Sequence, residues 1–432
     1  MSSKFYNIKE LYRLFVQFPF ISTDTRTIQP QSLFFCLKGE NFDGNLFVNE
    51  ALEKGAKYVI TENKQFPKSK AIIVVDDVLL TLQQLANYHR QQINIPVIGI
   101  TGTNGKTTTK ELIAAVLSKQ YKTTCTPGNL NNHIGVPLTL LSITKNDEIA
   151  IVEMGANHPG EIEELCRIAL PDYGLITNIG KAHLEGFGSM ENIIETKTAL
   201  YHAAGTVFVN GEDETLKQKA ESRMQKGQTE GVNQIVFYGK NSEIFGEILK
   251  MSPCLEIELL GKKVQTQLTG NYNLSNILAA TAIGRYFNVP EIAICNAIAE
   301  YIPQNHRSQI IKNETNTIIA DYYNANPTSM KAALENFLLI DAPHKLAILG
   351  DMFELGTKSI AEHQEIIDFC ESNHLETIFI GTNFFALKNE RFKFFRNLKD
   401  SNDYLKNNKI ENTFMLIKGS RGVHLEELRI EN

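Results

Sequence analysis

Lys106 and Thr107 stand between Gly105 and Thr108 in the string Ile98-Gly-Ile-Thr-Gly-Thr-Asn-Gly-Lys-Thr-Thr108. A compact cation, several hydroxyls and a backbone bare of side chains are what a chain of phosphates needs. Gly102 and Gly105, with Thr103 and Asn104 between them, let N–H groups approach an anion, and the dipole of a following helix adds partial positive charge. Lys106 reaches toward terminal phosphates, and the Thr107 hydroxyl suits a magnesium ion. The spacing departs from a strict phosphate-loop signature, because Ile100 stands where a glycine would be required. A glycine turn at a strand end with a solvated lysine is the other reading.

Further along, Glu153 ends the apolar run Ile149 to Val152, and a carboxylate at a strand tip beside such a loop is placed to hold a hard cation. A solvated strand-end glutamate is the alternative. Asn178, His183 and Glu185 follow another strand end, where the histidine is a candidate second metal ligand. Lys197 lies in a helical stretch, Met190 to Ala204, whose default reading is a solvated lysine. His306-Arg307 and Lys418-Gly-Ser-Arg421 bring positive charge near the C-terminus, and a guanidinium suits bidentate phosphate contact.

These residues have to be positioned by sheets. The phosphate string lies between an apolar run and the helix-forming stretch Lys110 to Leu117. The same strand-then-helix rhythm recurs at Lys122 to Cys125, Ile149 to Val152, Gly174 to Ile176, Thr206 to Val209 and Gln234 to Phe237, which predicts a mainly parallel sheet covered on both faces. Between Glu243 and Leu268 the pattern turns to strand after strand, an antiparallel extension, before a helix from Leu274 to Tyr286. Upstream, the runs Leu33 to Leu37, Tyr58 to Ile60 and Ala71 to Val75, with a helix over Asn45 to Lys54, read as a small α/β unit. Downstream of Asn305, the runs Thr317 to Ala320, Leu346 to Leu349, Thr377 to Ile380 and Phe414 to Ile417 read as a second doubly wound sheet. Ligands of such sheets lie beyond the carboxyl ends of strands, which marks Asp321, Asp351, Gly381 and Lys418.

At 432 residues there is length for three domains, each with its own core. A net charge of -6 offers no general attraction to nucleic acid or anionic membrane, so any phosphate binding must be local. No run of about 18 apolar residues occurs and the N-terminal stretch lacks a leader pattern, so a cytoplasmic protein without membrane insertion is expected. Six scattered cysteines, none in a C-x-x-C pair, read as reduced buried thiols.

The strings Thr101-Gly-Thr-Asn-Gly-Lys-Thr-Thr108, Glu153-Met-Gly155, Thr177-Asn-Ile-Gly-x-x-His-Leu-Glu185, Leu268-x-Gly-x-x-Asn273-x-x-Asn276 and Lys418-Gly-Ser-Arg421, in this order, resemble the Mur ligase family. That family comprises ATP-dependent amide-forming enzymes of peptidoglycan precursor synthesis. The resemblance implies an α/β architecture of three domains: a small UDP-sugar domain over residues 1–88, a central P-loop ATPase-like domain with a mainly parallel sheet over 89–303, and a Rossmann-like domain over 304–432. It implies that Lys106, Lys197, His183 and Arg307 are catalytic. ATP would lie on Gly102 to Thr108, Asn273, Asn276, Arg307 and Asp321. Magnesium ions would be held by Thr107 and Glu153, and by His183 and a carbamylated Lys197. Ser22-x-Asp24-x-Arg26, with Lys38 and Asp43, is similar to the family's UDP-sugar contacts. Gly128-Asn-Leu-Asn-Asn132 and Asp321-x-x-Asn324-Ala-Asn-Pro327 are similar to the branch that joins D-alanyl-D-alanine to UDP-N-acetylmuramoyl-tripeptide, which implies that Asn131, Asn132, Asn324 and Asn326 face the dipeptide. A monomer is expected. The ligase adding the third stem amino acid, folylpolyglutamate synthesis and a nucleotide-regulated protein without catalysis are the competing readings.

Overall fold

The computed structural model describes residues 7–430 apart from 41, 67–69, 226–233 and 305, so Asn305 itself lies outside the described residues. Its first sheet holds four parallel strands in the order Ile21–Ser22, Leu33–Phe35, Tyr58–Thr61 and Ile72–Val74. Three of them coincide with apolar runs. The two-residue edge strand carries no such run, and so left no signal.

The helix Val78–Gln92 was not anticipated from the sequence. Asp77 starts it, accepting the Leu80 N–H at 2.7 Å, and Leu82, Leu85, Ala86 and His89 recur at helical spacing on its buried side. Its far end is tied to the central unit: Arg90 donates to the carbonyls of Ala169 and Leu170 and to Asp172, while His89 bonds the Ile143 carbonyl at 2.9 Å. The division expected at residues 88 and 89 falls inside this helix.

The central sheet has six parallel strands in the order Gln234–Tyr238, Thr206–Asn210, Tyr173–Ile176, Val97–Thr101, Ile149–Glu153 and Thr123–Cys125. All five residues of Val97–Thr101 are buried, which is why that stretch is continuously apolar up to its final threonine. After it the chain first builds the two strands on one side, then crosses to Tyr173–Ile176 on the other. The carboxyl end of Val97–Thr101 is therefore a topological switch point, where sheets of this kind open a ligand crevice. Helices Lys106–Leu117 and Asn273–Tyr286 pack together over one face through Leu112, Ile113, Val116, Ile277, Ala280 and Ile283.

The antiparallel strands do not extend this sheet, contrary to expectation. Gly246–Lys250, Glu256–Leu259 and Lys262–Gln265 form a separate three-stranded sheet. Ile257, Leu259 and Val264 point from it into the core shared with Asn273–Tyr286 and Glu291–Glu300. Burying that apolar face on helices, rather than pairing edge to edge, is what detaches it.

The C-terminal sheet orders its strands Gln309–Lys312, Thr317–Asp321, Phe414–Lys418, Lys345–Gly350, Thr377–Ile380 and Lys393–Phe395, with only the first pair antiparallel. The two edge strands were missed because their residues are at best partly buried. The last strand inserts between the second and fourth, setting Asp321 directly beside Lys418 in register.

Candidate active site

Two glycines shape the loop after Val97–Thr101. Gly102 takes φ +147°, and a Cβ there would lie 2.0 Å from Thr177 Oγ1; Gly105 takes φ +77° at the start of helix Lys106–Leu117, and a Cβ would meet Asn276 Oδ1 at 2.8 Å. Backbone conformation and close approach both demand glycine. The loop is clamped from the adjoining strand end. Thr177 Oγ1 donates to the Asn104 carbonyl at 2.6 Å, Asn178 exchanges two bonds with Asn104, and the Thr103 hydroxyl meets the Gly180 N–H at 2.9 Å. This explains the polar string Thr177-Asn-Ile-Gly180: it supports the loop. Asn273 and Asn276 support it from behind, Asn276 accepting from Thr109 Oγ1 at 3.0 Å and donating to Asn273 Oδ1 at 2.8 Å.

Lys106 is half-buried at the cavity wall. Its ammonium folds back onto the carbonyls of Gly102 at 2.9 Å and Thr103 at 3.1 Å. Burial pulls its pKa down, Glu153 opposes that, and Arg307 adds to it. Glu153 is buried. Thr107 Oγ1 lies 3.0 Å from its Oε2, Asn131 donates to Oε1 at 2.8 Å, and the Lys110 ammonium stands 3.7 Å from Oε2 while donating to the carbonyls of Thr126 and Gly128. Lys110 was not singled out from the sequence. The available signal was its spacing, since it shares the inward face of the helix with Thr107, three positions earlier.

A cavity of about 970 Å³ opens over the loop. Of the residues expected to act, Thr103 to Thr108, Asn131, Asn132, Glu153, His183, Asn273, Asn276, Arg307, Asp321, Asn324 and Asn326 line it. Lys197 does not line it. Its side chain is 3% exposed and donates to the Gly102 carbonyl at 3.1 Å, behind the wall, with its pKa brought down to about 7 by burial and then by the Lys106 charge. Ser22, Asp24, Arg26, Lys38 and Asp43 lie in the N-terminal unit, away from the lining. There Asp24 pairs with an exposed Arg26 and is held down to about 2 by that hydrogen bond, and Asp43 accepts from Asn45.

The asparagines have structural duties too. Asn132 Oδ1 accepts the first free N–H groups of helix Gly135–Ser142, and Asn326 caps helix Pro327–Leu338 while its Nδ2 donates to Asn104 Oδ1 at 2.8 Å. That last bond joins the C-terminal unit to the phosphate loop. Asn132 and Asn324 are exposed, and Asn324 Oδ1 receives the neighbouring Ala325 N–H. Arg307 stacks on Tyr323, 3.7 Å from the ring centroid, and its buried Nε has no hydrogen-bond partner among the described residues. Asp321 accepts from Lys418 at 2.6 Å and from the Ser308 N–H at 3.1 Å, fixing the backbone next to Arg307.

Two strand-end candidates turn out otherwise. Asp351 is buried, its carboxylate receiving the N–H groups of Asn383 at 2.9 Å and Phe384 at 3.0 Å, at the start of the single-turn helix Thr382–Ala386. Gly381 makes room for that carboxylate, since a Cβ would stand 2.2 Å from Asp351 Cγ. Both satisfy backbone groups and neither lines the cavity.

The chain matches the Mur ligase middle domain over residues 100–284, the Mur ligase glutamate ligase domain over 306–420, and the Mur ligase family catalytic domain over 17–96. It is 36% identical over 429 residues to the UDP-N-acetylmuramoyl-tripeptide–D-alanyl-D-alanine ligase of Bacillus subtilis, covering 94% of this chain and 92% of that protein. The chain belongs to the Mur ligase family. Crystal structure I of MurF from Acinetobacter baumannii superposes with a TM-score of 0.85 at 32% identity, covering 94% of this chain and 92% of that one. The MurF ligase of Thermotoga maritima in complex with ADP gives 0.80 at 27% identity, covering 95% and 96%. The glycine loop falls within the span matched by the middle domain, and Arg307, Asp321, Asn324 and Asn326 of the span matched by the glutamate ligase domain line the same cavity.

Proposed function

We propose that this Mur ligase uses ATP to join D-alanyl-D-alanine to UDP-N-acetylmuramoyl-tripeptide in peptidoglycan precursor synthesis. The terminal carboxylate of the tripeptide attacks the γ-phosphorus, ADP leaves, and the dipeptide amine then displaces phosphate from the acyl phosphate. The observation that carries this is the single cavity in which the phosphate loop meets the Asn324-Ala-Asn326 string. Two anions must meet in the first step, so positive charge has to be concentrated there. Lys106 and Arg307 supply it in a chain whose net charge is -6. Closure of the C-terminal domain over the cavity would exclude the water that hydrolyses an acyl phosphate. No helix among the described residues is long and apolar enough to cross a membrane. The three-domain division belongs to the same proposal, with the helix Val78–Gln92 as the joint between the first two.

Magnesium fits the residues present. Thr107 Oγ1 and Glu153 Oε2 are 3.0 Å apart. The adjacent oxygens of an octahedral shell with bonds of about 2.0–2.1 Å stand about 2.9 Å apart. No group of three His, Cys, Asp or Glu side chains able to hold a metal occurs among the described residues, so a cation here draws on this hydroxyl, one carboxylate and the phosphates. When bound it neutralises the phosphates and withdraws charge from the leaving oxygen. A second ion would use His183 and Lys197 converted to a carbamate, for which a lysine with a pKa near 7 is suited, because only the neutral amine adds carbon dioxide.

The test is ADP release. With UDP-N-acetylmuramoyl-tripeptide as acceptor, sustained release is expected only when D-alanyl-D-alanine is present; release driven instead by a free amino acid on the UDP-dipeptide would assign the chain to the preceding step. Within the cavity, Asn324→Ala is expected to raise the KM for D-alanyl-D-alanine by about tenfold, the worth of one to two hydrogen bonds, with little change in the KM for the UDP-tripeptide. Equal rises in both constants would remove Asn324 from the dipeptide contacts.

A further inference from the structure

We propose that Glu354 is a positioning residue for His183: carried on the C-terminal domain, its carboxylate takes the imidazole Nδ1, leaving Nε2 as the nitrogen available to a cation. The inference rests on the reading of His183 as a metal ligand given above. Glu354 Oε2 lies against His183 Nδ1, and no other hydrogen-bond partner reaches that nitrogen among the described residues. A neutral imidazole that binds a metal through one nitrogen carries its proton on the other, and a carboxylate there fixes both tautomer and ring orientation.

The backbone on each side is built for this meeting. His183 takes φ +51° and Glu354 takes φ +61°, left-handed conformations that are uncommon for side-chain-bearing residues. Directly after His183, Leu184 and Phe187 of the short helix Leu184–Phe187 are buried in the core of the C-terminal domain with Met352 and Leu355, which flank Glu354. Beside them the Glu185 N–H donates to the Glu354 carbonyl at 3.3 Å. Since the two residues sit on different domains, His183 acquires its oriented ring only when the C-terminal domain is docked. The second cation would then be gathered at the moment the cavity closes, so phosphoryl transfer would begin only after water is excluded.

The Glu354 side chain is 55% exposed, so its replacement leaves the fold intact. The experiment is a Mn²⁺ titration of the full chain with a non-hydrolysable ATP analogue, read by electron paramagnetic resonance, together with the melting temperature. Wild type should bind two ions. Glu354→Gln and Glu354→Ala should weaken the second ion by roughly 10- to 100-fold while leaving the first ion and the melting temperature unchanged. Glu362→Gln serves as the docking control, because Glu362 accepts from Lys181 at 2.9 Å across the same two domains, outside the cation site; it should keep both ions at wild-type affinity. Unchanged second-ion affinity in both Glu354 variants overturns the proposal. So does an equal loss in Glu362→Gln, which would reduce Glu354 to a docking contact. His183→Ala binding two ions as tightly as wild type would instead overturn the underlying assignment of His183.

Discussion

Lys106→Ala should lose on the order of 10³-fold or more in kcat, the scale seen when one preorganised positive group is taken from a phosphoryl or oxyanion site. Its ammonium is already held at the phosphate loop, 2.9 Å from the Gly102 carbonyl and near the Arg307 charge. The loss should fall mainly on kcat, because charge on the transferring group peaks in the transition state. Folding should survive. Burial disfavours the charged form of this lysine, and removing it relieves that cost while giving up two carbonyl contacts. Turnover within tenfold of wild type, in a variant with unchanged melting temperature, would take Lys106 out of the mechanism.

The second large effect is expected at Lys197. Lys197→Ala should lower turnover by on the order of 10²-fold or more and recover part of it with acetate or formate, which restore hard oxygen donors; recovery with small amines alone would show that the ammonium itself is what matters. The same residue makes a prediction about stability. Burial, followed by the Lys106 charge, lowers its pKa to about 7, while in the unfolded chain it keeps a value near 10.4. Between those values the unfolded state binds the proton and the folded state does not, so the lysine penalises folding most below about pH 7, and the penalty fades as pH rises toward 10. Lys197→Met should therefore raise the melting temperature of the ligand-free protein at pH 6 to 7, by an amount that shrinks by pH 10. A pH-independent effect would mean that the ammonium is not desolvated as this structure places it.

Periodicity and loop chemistry were enough to read the parallel sheets, the glycine loop after Val97–Thr101 and the acid that ends Ile149–Glu153 from the chain alone. A buried parallel strand must be continuously apolar, as Val97 to Ile100 and Ile149 to Val152 are, and a loop that presents N–H groups must be bare of side chains, as at Gly102 and Gly105. These are local demands, and local demands are written in neighbouring residues. What the chain alone left undecided depends on partners far apart in sequence. Asp351 resembles Asp321 as an acid at a strand end, yet one caps a helix turn in the core and the other fixes the backbone next to Arg307; only the order of the strands separates them. Nor could spacing show that Lys110 shares Glu153 with Thr107, that Lys197 lies behind the Gly102 carbonyl, or that Glu354 crosses from another domain to His183. Each of those is an ionisable group whose state is set by which groups the packed domains bring within a few ångströms, and that distance exists only in the tertiary structure.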